Sequence, residues 1–173
     1  MQIFAETPRL ILRELLPNDV AGMFELDSDP EVHRYLGNKP IKTMQEAADM
    51  IAYVRQQYAD YGIGRWAVIE KATGDFTGWA GLKFTTEERN GHSNYYDVGY
   101  RFIKRYWGKG YATEAAIASV QYGFEVLKLD EIFGMADVEN IASNKALQKA
   151  GLKYVEDFDY AGIRHSWYCL LSL

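Results

Sequence analysis

The residues best suited to chemistry lie in one segment, Arg105-Tyr106-Trp107-Gly108-Lys109-Gly110-Tyr111-Ala112. Two glycines two residues apart let backbone N–H groups turn toward one ligand. A helix starting just after them adds the positive end of its dipole. A loop of this kind suits a phosphate or diphosphate. It is not a P-loop, because no Gly-Lys-Ser/Thr follows a first glycine at the required spacing. It is not the dinucleotide fingerprint either, because the third glycine is missing. Taken alone, Arg-x-x-Gly-x-Gly also fits an ordinary tight turn between a strand and a helix. From Val98 to Thr113 the chain holds Arg101, Lys104, Arg105 and Lys109 and no acid. The whole chain has 19 Lys and Arg against 24 Asp and Glu, a net charge of −5, so the remainder carries −9. A positive stripe on an acidic body suits a specific anionic ligand, although a solvated charged face has the same composition. The acidic balance argues against general nucleic-acid binding. Cys169 is the only cysteine, so no intramolecular disulfide and no cysteine-based zinc site can form. His33, His92 and His165 lack metal-ligand spacing, and no metal is expected.

These groups need elements to position them. The chain has 173 residues, 48% hydrophobic and 25% charged, the balance of an ordinary globular domain. Without repeats or linkers, it is expected to form one continuous domain over residues 1–173. No apolar run reaches the roughly 18 residues of a membrane span. The N-terminal residues show no signal peptide, and a reducing, cytoplasmic setting is expected. Arg9–Arg13 reads as a strand, and Val20, Met23 and Phe24 have helical spacing, ended at Asp29-Pro30. Thr43-Met44-Gln45-Glu46 is a capping box for a helix closed by Gly62 and Gly64. Strands follow at 66–70 and 76–84, joined by the turn Ala72–Asp75. Asn90-Gly91 marks a hairpin before a strand at 95–103, within which Gly99 signals a bulge or a close approach. A long helix spans 110–127, a strand 131–138, and a short helix 141–150 stops at Gly151. A final hairpin occupies 153–159 and 165–171. The unit from 95 to 138 is the one parallel crossover. The sum is a mixed α/β sheet with helices on its faces.

Three segments together resemble a known family. Arg105-x-x-Gly108-x-Gly110-x-Ala112 is similar to the cofactor-binding signature of the GNAT superfamily of acyl-CoA-dependent N-acyltransferases. The run from Asp97 through Ala115 resembles its RimJ/RimL-like branch, the ribosomal-protein N-terminal acetyltransferases and their relatives. Thr7-Pro8-Arg9-Leu10-Ile11-Leu12-Arg13 resembles that branch's opening strand, and Asn140–Leu152 its late helix. The resemblance covers essentially the whole chain. It implies a mostly antiparallel sheet with a splayed parallel strand pair, here 95–103 and 131–138, that binds acetyl-CoA in the gap. It places pantetheine against the backbone near Phe102 and Ile103, with Asn140 also near it. The diphosphate would meet the amides of Gly108, Lys109, Gly110, Tyr111 and Ala112, with Lys104, Arg105 and Lys109 as charge partners.

The same resemblance implies direct transfer of an acetyl group to an amine. An amine must be neutral to attack. A lysine-type amine, with pKa about 10.4, needs a base more than an α-amine near 7.7–8.0. Asp97 stands where relatives often carry a Glu and is the candidate base, directly or through water; an exposed strand carboxylate is the other reading. Many relatives place a tyrosine acid on the late helix, but Leu147 occupies that position here. Ser143, from the branch's Asn-x-x-Ser motif, is the candidate stabiliser of the leaving thiolate, or else an ordinary helix cap. A backbone N–H near Val98–Tyr100 would meet the oxyanion. His33 and Tyr35 after the first helix, with Tyr100, would border the acceptor. Cys169 is expected in the core, not as an acyl carrier. The acceptor is expected to be a protein N-terminus or a small-molecule amine, and the chain a monomer or homodimer. Loss of the usual tyrosine leaves a non-catalytic CoA-binding module on the same fold as the alternative.

Overall fold

The computed structural model covers residues 1–173. Its eight strands are β1 (Ile3–Glu6), β2 (Leu10–Arg13), β3 (Trp66–Glu70), β4 (Phe76–Thr85), β5 (Tyr95–Phe102), β6 (Glu131–Asp137), β7 (Lys153–Tyr160) and β8 (Ile163–Leu171). The helices are α1 (Val20–Asp27), α2 (Met44–Tyr61), α3 (Tyr111–Glu125) and α4 (Ile141–Lys149). All strands join one sheet in the order β1-β2-β3-β4-β5-β6-β8-β7. Every neighbouring pair is antiparallel except β5 and β6, which are parallel. A parallel pair requires a crossover, and α3 supplies it.

Local chemistry accounts for the element ends. Thr43 Oγ1 accepts the Glu46 N–H at 3.2 Å and Glu46 Oε2 accepts the Thr43 N–H at 2.8 Å, so the capping box opens α2. Gly62, with φ +71°, closes it in the left-handed region. Arg89 and His92 exchange backbone hydrogen bonds around Asn90-Gly91, both at positive φ, which is the favoured hairpin turn. The strand β1 is absent from the sequence reading. Its ends are exposed and only Phe4 and Ala5 are half-buried, so no apolar alternation marks it as the buried Leu10 and Leu12 mark β2. Phe4 anchors it by stacking on Trp66 with ring centroids 5.0 Å apart.

The pleat separates two environments. Val98 and Tyr100 of β5 face α4: the Cβ of an alanine at Gly134 would touch Leu147 and Val98, and Tyr100 bonds Ser143. Asp97, Gly99 and Arg101 face the other way, toward Arg65 and Asp27 of α1. The main core of 30 buried residues includes Trp66, Leu82, Val98 and Ile132. A second buried cluster, Tyr95, Phe133, Phe158 and Trp167, lies under His92, which stacks on Trp167 at 5.2 Å. No helix is long and apolar enough to cross a membrane.

Candidate active site

The two parallel strands barely pair. Their ladder holds a single Cα pair, Asp97 with Phe133, whereas β6 pairs with β8 along its whole length. Beyond Asp97 and Phe133 the two strands make no further ladder pairs with each other toward their carboxyl ends, and a wedge opens between them. Ligands bind outside the carboxyl ends of parallel strands in open α/β sheets. The glycine loop and the start of α4 both follow such ends.

The loop begins as a tight 3-10 turn at Lys104–Tyr106. Gly108 at φ +77° and Gly110 at φ +81° adopt left-handed backbone, which explains both glycines. The first helical bond of α3 is Glu114 N–H to Gly110 C=O, and the N–H groups of residues 108–113 donate to no protein acceptor. Six consecutive free amides at a helix start form an anion cradle. The loop is braced from below by Glu70, whose Oε1 accepts Tyr111 Oη–H at 2.5 Å and lies 3.4 Å from Lys109 Nζ. These bonds, the Tyr111 one foremost, hold the Glu70 carboxyl below its ordinary 4.5.

The positive stripe is not free charge. Arg101 pairs with Asp27 at 2.6 Å, Lys104 with Glu31, Arg105 with Glu25 at 2.9 Å, and Lys109 with Glu70. Each of the four cations found by sequence has an acid from a distant segment beside it. The acidic partners were invisible in the local charge count because they lie on α1, β3 and the turn after α1. The loop's attraction for an anion therefore rests first on amides and helix dipole. The backbone at Phe102 and Ile103 is also engaged. Ile103 N–H donates to Thr77 C=O at 2.9 Å, Ile103 C=O accepts from Tyr106, and Phe102 C=O accepts Trp107 Nε1–H at 2.8 Å. Each carbonyl keeps a second lone pair.

Asp97 is buried, not exposed. Its Oδ2 receives the Arg65 guanidinium at 2.5 Å, and a second Arg65 nitrogen reaches the carbonyls of Gly81 (2.6 Å) and Asp97 (2.7 Å). Arg65 also explains Gly99. The β4–β5 register runs through Gly81–Gly99 without a bulge, and a Cβ on Gly99 would lie 2.8 Å from the guanidinium. The close approach signalled by that glycine is thus a side chain from before β3. Sequence reasoning had the glycine and missed its partner, because the two are 34 residues apart. Trp79 lies beneath both Arg65 and Arg101, at 5.3 and 4.9 Å.

At the other wall, Asn140 Oδ1 accepts the Ser143 N–H at 3.2 Å and is the cap of α4. Ser143 Oγ makes no cap bond. It lies 3.2 Å from Tyr100 Oη, whose proton goes to the Ser143 carbonyl at 2.7 Å. Burial pushes the Tyr100 phenol well above its ordinary range, so it stays protonated. Leu147 is buried against Gly134 and carries no proton to give. His33 is buried with Nε2 3.1 Å from Asp27 Oδ1, which joins it to Arg101. Tyr35 stands apart, half-buried in the turn after α1 with Arg34 over its ring. Cys169 is half-buried in β8 and pairs with Phe133; burial raises its thiol above its ordinary 9.0. The structure therefore places Tyr100, Asn140 and Ser143 together on the α4 face, Asp97 with Arg65 on the opposite face, and the glycine loop beyond the end of β5, with His33 linked to Arg101 through Asp27.

Comparison with known proteins identifies the family and the fold. Residues 9–153 match the family model described as an acetyltransferase (GNAT) domain. An N-acetyltransferase of Bacillus licheniformis, p20, described as uncharacterized, is 32% identical over 160 residues, 90% of this chain and 86% of its own. A GNAT-family acetyltransferase structure from Bacillus anthracis superposes with TM-score 0.80 at 24% identity, covering 99% of this chain and 98% of its own. RimL, a ribosomal L7/L12 alpha-N-protein acetyltransferase solved in complex with coenzyme A, superposes with TM-score 0.81 at 14% identity, covering 98% of each chain.

Proposed function

The chain belongs to the GNAT family of acyl-CoA N-acetyltransferases, and from that premise we propose that it moves the acetyl group of acetyl-CoA directly to a primary amine. The observation that carries the reading is the wedge: a parallel pair reduced to one register position, opening onto a loop of six free amides. In this reading an extended thioester lies between the strands, with its diphosphate at the amides of residues 108–113. The bound coenzyme A of RimL, on the same fold, supports this donor.

In this reading Asp97 removes the amine proton, directly or through water. Arg65 pairs with it and fixes its orientation. An amine that is already partly neutral asks least of a base. An α-amine near 7.7–8.0 fits better than a lysine near 10.4. A backbone N–H near Val98–Tyr100 meets the oxyanion. Ser143 would turn its one hydroxyl proton from Tyr100 Oη to the departing thiolate. A thiolate with ordinary pKa about 8.5 needs little more. Transfer is direct in this reading: the only cysteine, Cys169, lies half-buried in β8 among core residues. The RimJ/RimL-like motifs extend the proposal to protein N-termini or small α-amines as acceptors.

The experiment is release of free CoA from acetyl-CoA across a panel of peptides with free N-termini, amino acids and polyamines. Turnover with α-amines above that with ε-amines at pH 7 is expected. Tight acetyl-CoA binding without release from any amine would refute the catalytic reading.

A further inference from the structure

Arg9 precedes β2 and is 100 residues from the glycine loop, yet it touches that loop's backbone. Its NH1 donates to the Lys109 carbonyl at 2.8 Å. Its Nε and NH2 reach Glu114 Oε2 at 2.7 and 2.6 Å, and its guanidinium lies 4.6 Å over the Tyr111 ring. The other Glu114 oxygen accepts Thr7 Oγ1–H at 2.6 Å and the Arg9 N–H at 3.1 Å. Thr7 and Glu114 thus hold the fork, and the fork holds one carbonyl.

That carbonyl matters because a trans peptide is planar, with its C=O and N–H pointing in opposite directions. Fixing the Lys109 C=O toward Arg9 turns the Gly110 N–H to the opposite side. Gly108 and Gly110, at φ +77° and +81°, give the loop freedom to rotate this peptide. Rotated, it would present a carbonyl oxygen where an anion needs a donor. We propose that Arg9, locked by Glu114 and Thr7, is a positioning residue that keeps the Gly110 amide turned toward the donor's diphosphate. The inference rests on the acyl-CoA reading above. Arg9 acts through the backbone, since its three nitrogens each engage protein.

The test compares two thioesters. S-acetyl-pantetheine shares the reacting end of acetyl-CoA and lacks the diphosphate. Arg9→Met and Arg9→Lys are measured for CoA affinity by calorimetry without acceptor, for thermal unfolding, and for kcat and KM with each thioester. Lysine keeps the charge but cannot bind Glu114 and the carbonyl together as the fork does. CoA affinity is expected to fall about tenfold, the size of one lost bond to a charged group. The acetyl-CoA KM should rise with it. The kcat at saturation, and kcat/KM for S-acetyl-pantetheine, should stay within about twofold of the parent. Unchanged CoA affinity, or equal loss with both thioesters, overturns the proposal. If Arg9→Met does not fold, Arg9→Lys decides by the same comparison. A parent protein that binds no CoA would instead overturn the acyl-CoA reading itself.

Discussion

At the scale of single residues, the site separates two roles that look alike in sequence. Asn140 and Ser143 are both polar groups at a helix start, and either could cap it. The structure gives the cap to Asn140 and leaves the Ser143 hydroxyl to Tyr100. Asn140→Ala should therefore cost about 1 kcal/mol of stability, read from urea unfolding. Ser143→Ala should leave the unfolding midpoint nearly unchanged and lower kcat about tenfold, one hydrogen bond to a developing charge. A stability loss with normal turnover would return Ser143 to a structural role. Asp97→Asn should depress turnover more at pH 6 than at pH 9, because at high pH the amine is already neutral without help. Equal turnover to the parent at both pH values would remove Asp97 from the reaction. Because the amide still offers an oxygen to Arg65, the fold should survive the change.

Among elements, the wedge depends on β4 lying close behind β5. Gly78 of β4 faces Phe102, and a Cβ there would sit 2.1 Å from the Arg101 carbonyl and 2.8 Å from Phe102 Cα. Backbone cannot yield as a side-chain tip can. Gly78→Ala should cost about 2–4 kcal/mol and weaken CoA binding by shifting the end of β5, seen in chemical unfolding and calorimetry. The strands, the turns at Ala72–Asp75 and Asn90-Gly91, and all four helices were legible as elements, because periodicity and turn chemistry are local. The edge strand β1 was not, since its place is set by Phe4 packing on Trp66 across the sheet. Helix order and the one parallel crossover were readable. That the parallel ladder ends after one residue pair was not.

For the whole molecule, the pattern to test is carboxylates held by partners distant in sequence. Five carboxyls are held below their ordinary 4.5, Glu46 by its local capping box and four by partners distant in sequence. The Gln2 amide chiefly lowers Glu14, Arg105 lowers Glu25, and Tyr111 lowers Glu70. For Glu114 burial pushes up, but bonds from Thr7 and Arg9 together prevail. A group whose folded pKa is depressed contributes stability above its unfolded pKa and loses it as pH falls through the folded one. Stability should thus hold near neutral pH and drop as pH falls below about 4.5, with Glu114→Gln flattening part of the fall. Urea midpoints between pH 7 and pH 3 provide the check, and a flat profile contradicts it.

The sequence by itself determined every element but β1, together with the glycine loop. Capping boxes, left-handed glycines and alternating strands act within a few residues, where the chain order is the geometry. Only the tertiary structure decided which charges are available. The stripe that stood out as four unopposed cations meets Asp27, Glu31, Glu25 and Glu70 once the chain is folded. It also decided that Asp97 is held by Arg65 and that Arg9 reaches the loop. Ion pairs and buried contacts depend on distance in space, and residues 34 or 100 positions apart have no distance until the sheet brings them together.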